Sequence, residues 1–179
     1  DRGARINSVS SDDLYWDQAA VNQRLYQTFG QLANDKGVLT VVATGDGGSA
    51  QPSQFARMPE QAPLQGVPVD MQAIERGWLT VGAVSSHSPS QLAPYSNACG
   101  ITRDYCMVAP GDVIVTGAND VAGSPTKEIK RSTDFAAPQV SGAAALVLHA
   151  FPYLTGEQVK QVLLGTATDI GAPGVDDVF

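Results

Sequence analysis

The sequence predicts an α/β fold with a mainly parallel sheet, and three observations carry that reading. Val38-Leu39-Thr40-Val41-Val42-Ala43 is β-rich and almost wholly apolar, as a strand covered on both faces must be. Ahead of it the apolar period is that of a helix, with Val21, Leu25, Phe29 and Leu32 at steps of four, four and three. Further short apolar runs and helical stretches then alternate along the chain, the order that crossovers between parallel strands require.

Each element can be justified in turn. Asp1-Arg2-Gly3-Ala4-Arg5-Ile6 reads as the approach to a strand. A helix runs from about Trp16, capped by Asp12 or Asp13, to a stop at Lys36-Gly37. The strand at 38–43 ends in Thr44-Gly45-Asp46-Gly47-Gly48-Ser49, a sharp turn. Pro52, Pro59, Pro63 and Pro68 punctuate residues 49–75 without a sustained period, which predicts a long surface loop. Trp78 to Val84 and Cys106 to Ala109 are short buried strands, the second stopped by Pro110-Gly111, and Asp112 to Thr116 alternates like another. Ala136 to Ala150 is an apolar helix whose small residues, Ser141 to Ala145, let it sit tightly in a core. Thr155-Gly156-Glu157-Gln158 has the form of a capping box ahead of Val159, Val162 and Leu163. No repeat or internal boundary interrupts the chain, so residues 1–179 form one domain in this reading, with both ends cut.

Composition narrows the function. With 43% hydrophobic and 16% charged residues the chain can bury a core. No apolar stretch approaches the roughly 18 residues of a membrane span. The net charge of −7 argues against a nucleic-acid partner, since phosphate binding needs clustered cations. No Cys/His cluster has zinc spacing, and Gly45-Asp46-Gly47-Gly48 is too short for a calcium repeat, so neither metal nor cofactor is expected.

The segment Ser132-Thr-Asp-Phe-Ala-Ala-Pro-Gln-Val-Ser-Gly-Ala-Ala-Ala-Leu146 resembles the nucleophile motif of subtilisin-like serine proteases, Gly-Thr-Ser-x-Ala-Ala-Pro-x-Val-x-Gly. Three more blocks resemble that family in the right order. They are Val41 to Gly48, its strand into a Gly-Asn oxyanion loop; Leu79 to Val84 with Tyr95-Ser96-Asn97; and Val108-Ala109-Pro110-Gly111. Ser96-Asn97-Ala98-Cys99-Gly100 with Cys106, and Phe151-Pro152-Tyr153 with Asp169-Ile170-Gly171, are similar to subtilase passenger domains of bacterial autotransporters. The resemblance implies a subtilisin-like three-layer fold, here the C-terminal part of the catalytic domain, in a secreted or bacterial cell-surface protein. Any tie to an outer membrane would run through a C-terminal domain beyond this sequence. In that setting Cys99 and Cys106 close a short loop as a disulfide; the alternative is two unpaired core thiols.

The resemblance also implies a serine nucleophile at a helix start, a histidine base, an aspartate that orients it, and an asparagine amide at the oxyanion. A helix start suits the chemistry because its first N–H groups lack intrahelical partners and favour developing negative charge. Pro138 is expected in that first turn, where its missing N–H costs nothing. The register of Ala136-Ala137-Pro138 places Asp134 at the nucleophile position, with Ser132 at the family's glycine. A carboxylate is a weak acyl-transfer nucleophile, so Asp134 is expected to cap the helix. Asp46 stands where the family has its asparagine, and losing one oxyanion donor costs roughly 10²- to 10³-fold in rate. The related sedolisins place a protonated aspartate there, so Asp46 alone does not exclude activity. The family's Asp and His precede the oxyanion strand and fall upstream of Asp1; His87 and His149 occupy no triad position and read as structural or surface residues. Asn7-Ser8-Val9-Ser10-Ser11 lies about where subtilases pair a strand edge with extended substrate, so Ser8, Val9 and Ser10, with Gly45, are the expected substrate-binding residues.

The expectation is therefore a subtilisin-like serine endopeptidase domain, acting on peptide or protein, that is disabled in this chain. Three alternatives stand beside it: a peptide-binding pseudoprotease, a structural cell-surface domain, and an Asp46–Asp134 pair that shares a proton or holds a cation. If the family's first strands lie upstream, the sheet keeps an open edge. The chain is then expected to dimerise, aggregate, or be covered by an upstream segment or second copy.

Overall fold

The computed structural model describes residues 3–10, 19–61, 69–171 and 173–176. Strands β1 (Ile6–Val9), β2 (Leu39–Ala43), β3 (Trp78–Ser85) and β5 (Cys106–Pro110) run parallel in that spatial order. Strand β4 (Ser88–Leu92) folds back antiparallel onto the end of β3. The register sets Ile6 beside Leu39, Val41 beside Leu79 and Val81 beside Met107.

Side chains alternate faces along a strand, which explains why β2 is apolar throughout. Leu39, Val41 and Ala43, with Leu79, Val81 and Ala83, meet Ala136, Ala137, Val140 and Ala144 of helix α3 (Thr133–Ala150) and Val159 and Leu163 of α4 (Gly156–Thr166). Val42 and Trp78 point the other way, against Tyr26 and Phe29 of α1 (Ala19–Lys36) and against Phe55, Met58 and Ile74. Helices thus cover both faces of a mainly parallel sheet, as predicted. The expected caps of α1, Asp12 and Asp13, lie outside the described residues, as do Trp16 and the helix start around it.

The structure corrects the reading of 49–75 as a surface loop. Phe55, Ala56 and Met58 are buried in the second core, and Met71–Arg76 forms helix α2. The prolines break any long period, but a single apolar turn needs none. Asp70 caps α2 by accepting from the Ala73 N–H at 3.1 Å, and Gly77 ends it. Helix α3 also begins three residues earlier than expected, at Thr133. That puts Pro138 in the second turn and removes the N–H that the Asp134 carbonyl would otherwise accept. The capping box at Thr155 forms as predicted, with Gln158 N–H donating to Thr155 Oγ1 and Thr155 N–H to Gln158 Oε1.

Strand β6 (Asp112–Thr116) exists but leaves the main sheet. It pairs antiparallel with β7 (Lys127–Arg131), whose Lys-Glu-Ile-Lys-Arg composition hid it from a search for apolar strands. Cys99 and Cys106 are disulfide-bonded across seven residues, tying the turn at Gly100–Tyr105 to the start of β5. Closing so short a loop removes about 2.5 kcal/mol of unfolded-state entropy. A Cys99→Ala/Cys106→Ala double variant is expected to lose about 2–3 kcal/mol in urea unfolding. A loss near zero would mean that the turn is held without the bond.

Candidate active site

The site is built where the loop after β2 meets the start of α3. Gly45 has φ of 103° and Gly48 of 59°, and a Cβ on Gly48 would lie 2.8 Å from the Pro94 carbonyl oxygen, so the turn's path requires glycine there. Asn97, nearly fully buried, fastens this loop from across the sheet. Its Nδ2 donates to the Thr44 carbonyl at 2.9 Å, and its Oδ1 accepts from the N–H groups of Gly47 (3.1 Å) and Ser49 (2.8 Å). The main chain adds Asn97 N–H to Gly45 O at 2.8 Å, and the Thr44 hydroxyl donates to Asn97 O at 3.0 Å.

The loop in turn grips the helix. Gly45 N–H donates to Thr133 Oγ1 at 3.1 Å. Asp46 Oδ1 accepts from the Thr133 N–H at 2.7 Å, and its Oδ2 accepts from the Ser132 hydroxyl. Ser132, not Asp134, is the N-cap: its Oγ accepts from the Asp134 N–H at 3.0 Å. Asp134 was expected to cap because Asp suits that position; its carboxyl instead lies two residues past the cap, beside the Ser10 and Ser132 hydroxyls, the second of which donates to Asp46. The Phe135 N–H donates to Ser132 O at 3.2 Å. Each of the first three N–H groups of α3 therefore already has an acceptor.

Two carboxylates and a serine hydroxyl thus share one corner. Burial, and then the charge of Asp46, push the Asp134 carboxyl above its usual range, against the hydrogen bonds from Ser10 and Ser132. With the folded value above the unfolded one, the native state holds the proton longer. Stability from this group is greatest at low pH and falls as pH rises through the interval between the two values. Asp46→Asn removes a neighbouring negative charge, so the Asp134 titration followed by carboxyl NMR is expected to move down. An unmoved or higher value would place the two charges out of effective contact.

The expected substrate-binding residues fall as follows. Ser8 and Val9 lie on β1, which ends the sheet and has no second strand partner among the described residues. Ser10 follows β1 and is engaged by Asp134, so its hydroxyl serves the helix start. Gly45 is held by Thr133. His87 is exposed at the β3–β4 turn, with Ser86 Oγ 3.3 Å from its Nδ1, and His149 is exposed in the last turn of α3, the end of the helix away from its cap. Sequence reasoning missed Asn97, whose only signal was its place in the Tyr95-Ser96-Asn97 turn. It also missed Asp112, which accepts from Ser85 at 2.9 Å and from the Tyr95 hydroxyl at 3.2 Å beside the site. Burial works against the Asp112 carboxylate, but hydrogen bonds from Ser85, Tyr95 and the Ser86 backbone, with the Arg131 charge, hold it below the ordinary range. Burial and the same carboxylate push Tyr95 up to about 12.

A model of the peptidase S8 group, described as the subtilase family, matches residues 2–179. Serotype-specific antigen 1 of Mannheimia haemolytica is 34% identical over 152 residues, covering 82% of this chain and 15% of its own. The autotransporter lipoprotein NalP of Neisseria meningitidis serogroup B is 31% identical over 167 residues, 89% of this chain and 14% of its own. Among solved structures, the prenylagaramide maturation protease PagA superposes with a TM-score of 0.68 at 26% identity, covering 94% of this chain and 53% of that one. The chain thus spans about one-seventh of these two relatives and about half of the matched structure.

Proposed function

This chain belongs to the subtilase family of serine proteases, and from that premise we propose that it is a catalytically silent member whose site binds peptide without cleaving it. The observation that carries this reading is the occupied helix start. In a serine protease those N–H groups and a neighbouring amide stabilise the oxyanion. Here Asp46 and Ser132 consume them, and the nucleophile position holds Asp134. Both histidines of this sequence lie on other segments, His87 at the β3–β4 turn and His149 in the last turn of α3. Peptide would be taken up along β1 at Ser8 and Val9, by backbone pairing to an edge that has no second strand partner among the described residues. The Asp46–Asp134 dyad is the weaker alternative, because both Asp46 oxygens are already committed to the helix start.

The assay is turnover of a peptide ester by the purified 179-residue chain. No turnover above the spontaneous rate is expected, for the natural sequence or for Asp134→Ser. Cleavage by the natural chain that Asp134→Ala abolishes would overturn the reading. Ser at 134 and Asn at 46, in a polypeptide that also carries the family's Asp and His segment, should cleave.

A second reading of the same edge rests on α3. Its outer face exposes Gly142, Ala145, Ala150 and Leu146, the last 72% accessible, and the same helix packs on β1, the end strand among the described residues. A peptide strand would not cover that face, whereas a further segment of the polypeptide or a second copy would. The matched structures contain about as much chain again. A monodisperse monomer in light scattering would count against the covering copy. A secreted or cell-surface location is proposed on the autotransporter relative and on the disulfide.

A further inference from the structure

The ribbon of β6 and β7 is an unassigned surface beside this site. Its register sets Asp112 opposite Arg131, Ile114 opposite Ile129 and Thr116 opposite Lys127. Alternation puts these six side chains on one face. Val113, Val115 and Glu128 on the other face are half-buried, whereas Ile114 is 71% and Ile129 59% exposed. Two branched apolar residues directly opposite each other on a ribbon are ordinarily packed against something.

The charge around that pair runs against the rest of the molecule. The chain carries −7 overall, yet β7 holds three of its eleven cations in five residues: Lys127, Lys130 and Arg131. Lys130, on the inner face, is paired with Glu128 at 2.7 Å. Arg131 reaches Asp112 only at 3.7 Å. The exposed face therefore has an apolar centre, Lys127 at one end, and at the other Arg131, which is 61% exposed beside its partner Asp112.

The base of the ribbon is pinned to the candidate site. Ser132 N–H donates to the Gly111 carbonyl at 3.2 Å, and Asp112 is held by Ser85 and Tyr95. Arg131 immediately precedes the helix cap. Whatever polypeptide passes the start of α3 on this side meets the ribbon.

We propose that the outer face of the β6–β7 ribbon is a docking subsite for an acidic stretch of peptide. An apolar side chain of that stretch lies over Ile114 and Ile129, and flanking carboxylates face Lys127 and Arg131. Two cations are too few to track a nucleic-acid backbone, whose affinity grows with each phosphate neutralised. A second copy brings −7 against −7, whereas a short acidic peptide carries few charges and can set them directly against the cations of β7. The proposal names the peptide class for the reading above and rests on it.

The test is fluorescence anisotropy on the 179-residue chain with three labelled peptides of equal length, centred on Glu-Leu-Glu, Gln-Leu-Gln and Lys-Leu-Lys. The Glu peptide is expected to bind best, and Lys127→Glu to weaken it about fivefold while leaving the Gln peptide unchanged. Added salt should weaken the Glu peptide and leave the Gln peptide unchanged. Ile129→Thr, which keeps a β-branched residue in the strand, should weaken both the Glu and Gln peptides. Equal binding of all three, untouched by Lys127→Glu, would overturn the ribbon subsite while leaving peptide binding intact. Binding of none would remove the peptide-binding reading itself. A dimer in sedimentation that Ile129→Thr dissociates would give this face to a second copy and overturn the proposal.

Discussion

Asn97→Ala is expected to lower stability by about 3 kcal/mol, because one side chain satisfies three main-chain groups of the loop that carries Asp46. Each buried group left without a partner costs about 1–3 kcal/mol, and loop relaxation returns part of the sum. The Thr44 carbonyl and the Gly47 and Ser49 N–H groups are the ones orphaned. Asn97→Asp keeps an acceptor for the two N–H groups but sets a buried carboxylate oxygen against the Thr44 carbonyl, so it should also destabilise. Urea unfolding gives the magnitude. Amide exchange of Gly47 and Ser49 gives the location, and both should exchange faster in the alanine variant. A cost below about 1 kcal/mol with unchanged exchange would mean that the main-chain bonds alone hold the loop.

Trp78→Ala is expected to cost about 3–5 kcal/mol, the range for truncating a large aromatic in a core that cannot collapse. Trp78 is 1% exposed and meets Phe29 and Phe55 edge-on, with ring centroids 5.0 and 5.5 Å away. Its indole N–H also donates to the Ala56 carbonyl at 2.8 Å, which ties the 55–58 turn to the sheet. Trp78→Phe keeps much of the volume and loses that bond, so it should fall between. The order natural, Phe, Ala in urea midpoint, with a graded loss of near-UV circular dichroism, is the expected result. An alanine variant within 1 kcal/mol of the natural chain would mean that the second core is less well packed than its contacts show.

The helix-start site shows how far the sequence reached. The resemblance of two separate blocks to subtilase motifs was enough to single out Asp134 and Asp46, because each motif is local to one turn between elements; the structure brings the two turns together. The hydrogen-bond partner of each carboxylate was not legible. Ser10 and Ser132 come from separate parts of the chain, and which oxygen meets which hydrogen depends on where the sheet brings them. So the cap moved from Asp134 to Ser132, and Ser10 passed from substrate edge to a partner of Asp134.

The same division runs through the fold. The alternation of apolar strands and helices determined the α/β class, the two-sided burial of β2 and the capping box at Thr155, since each follows from period and from neighbours within a few residues. Only the tertiary structure decided that Phe55 and Met58 belong to a core and that a charged segment at Lys127–Arg131 is a strand. Both depend on contacts made with distant residues, and a short segment carries no periodic signal strong enough to announce them. What the sequence by itself determined was a subtilase framework with two carboxylates at its helix start. The three-dimensional packing decided that those carboxylates, and the serine between them, are spent on holding that start together.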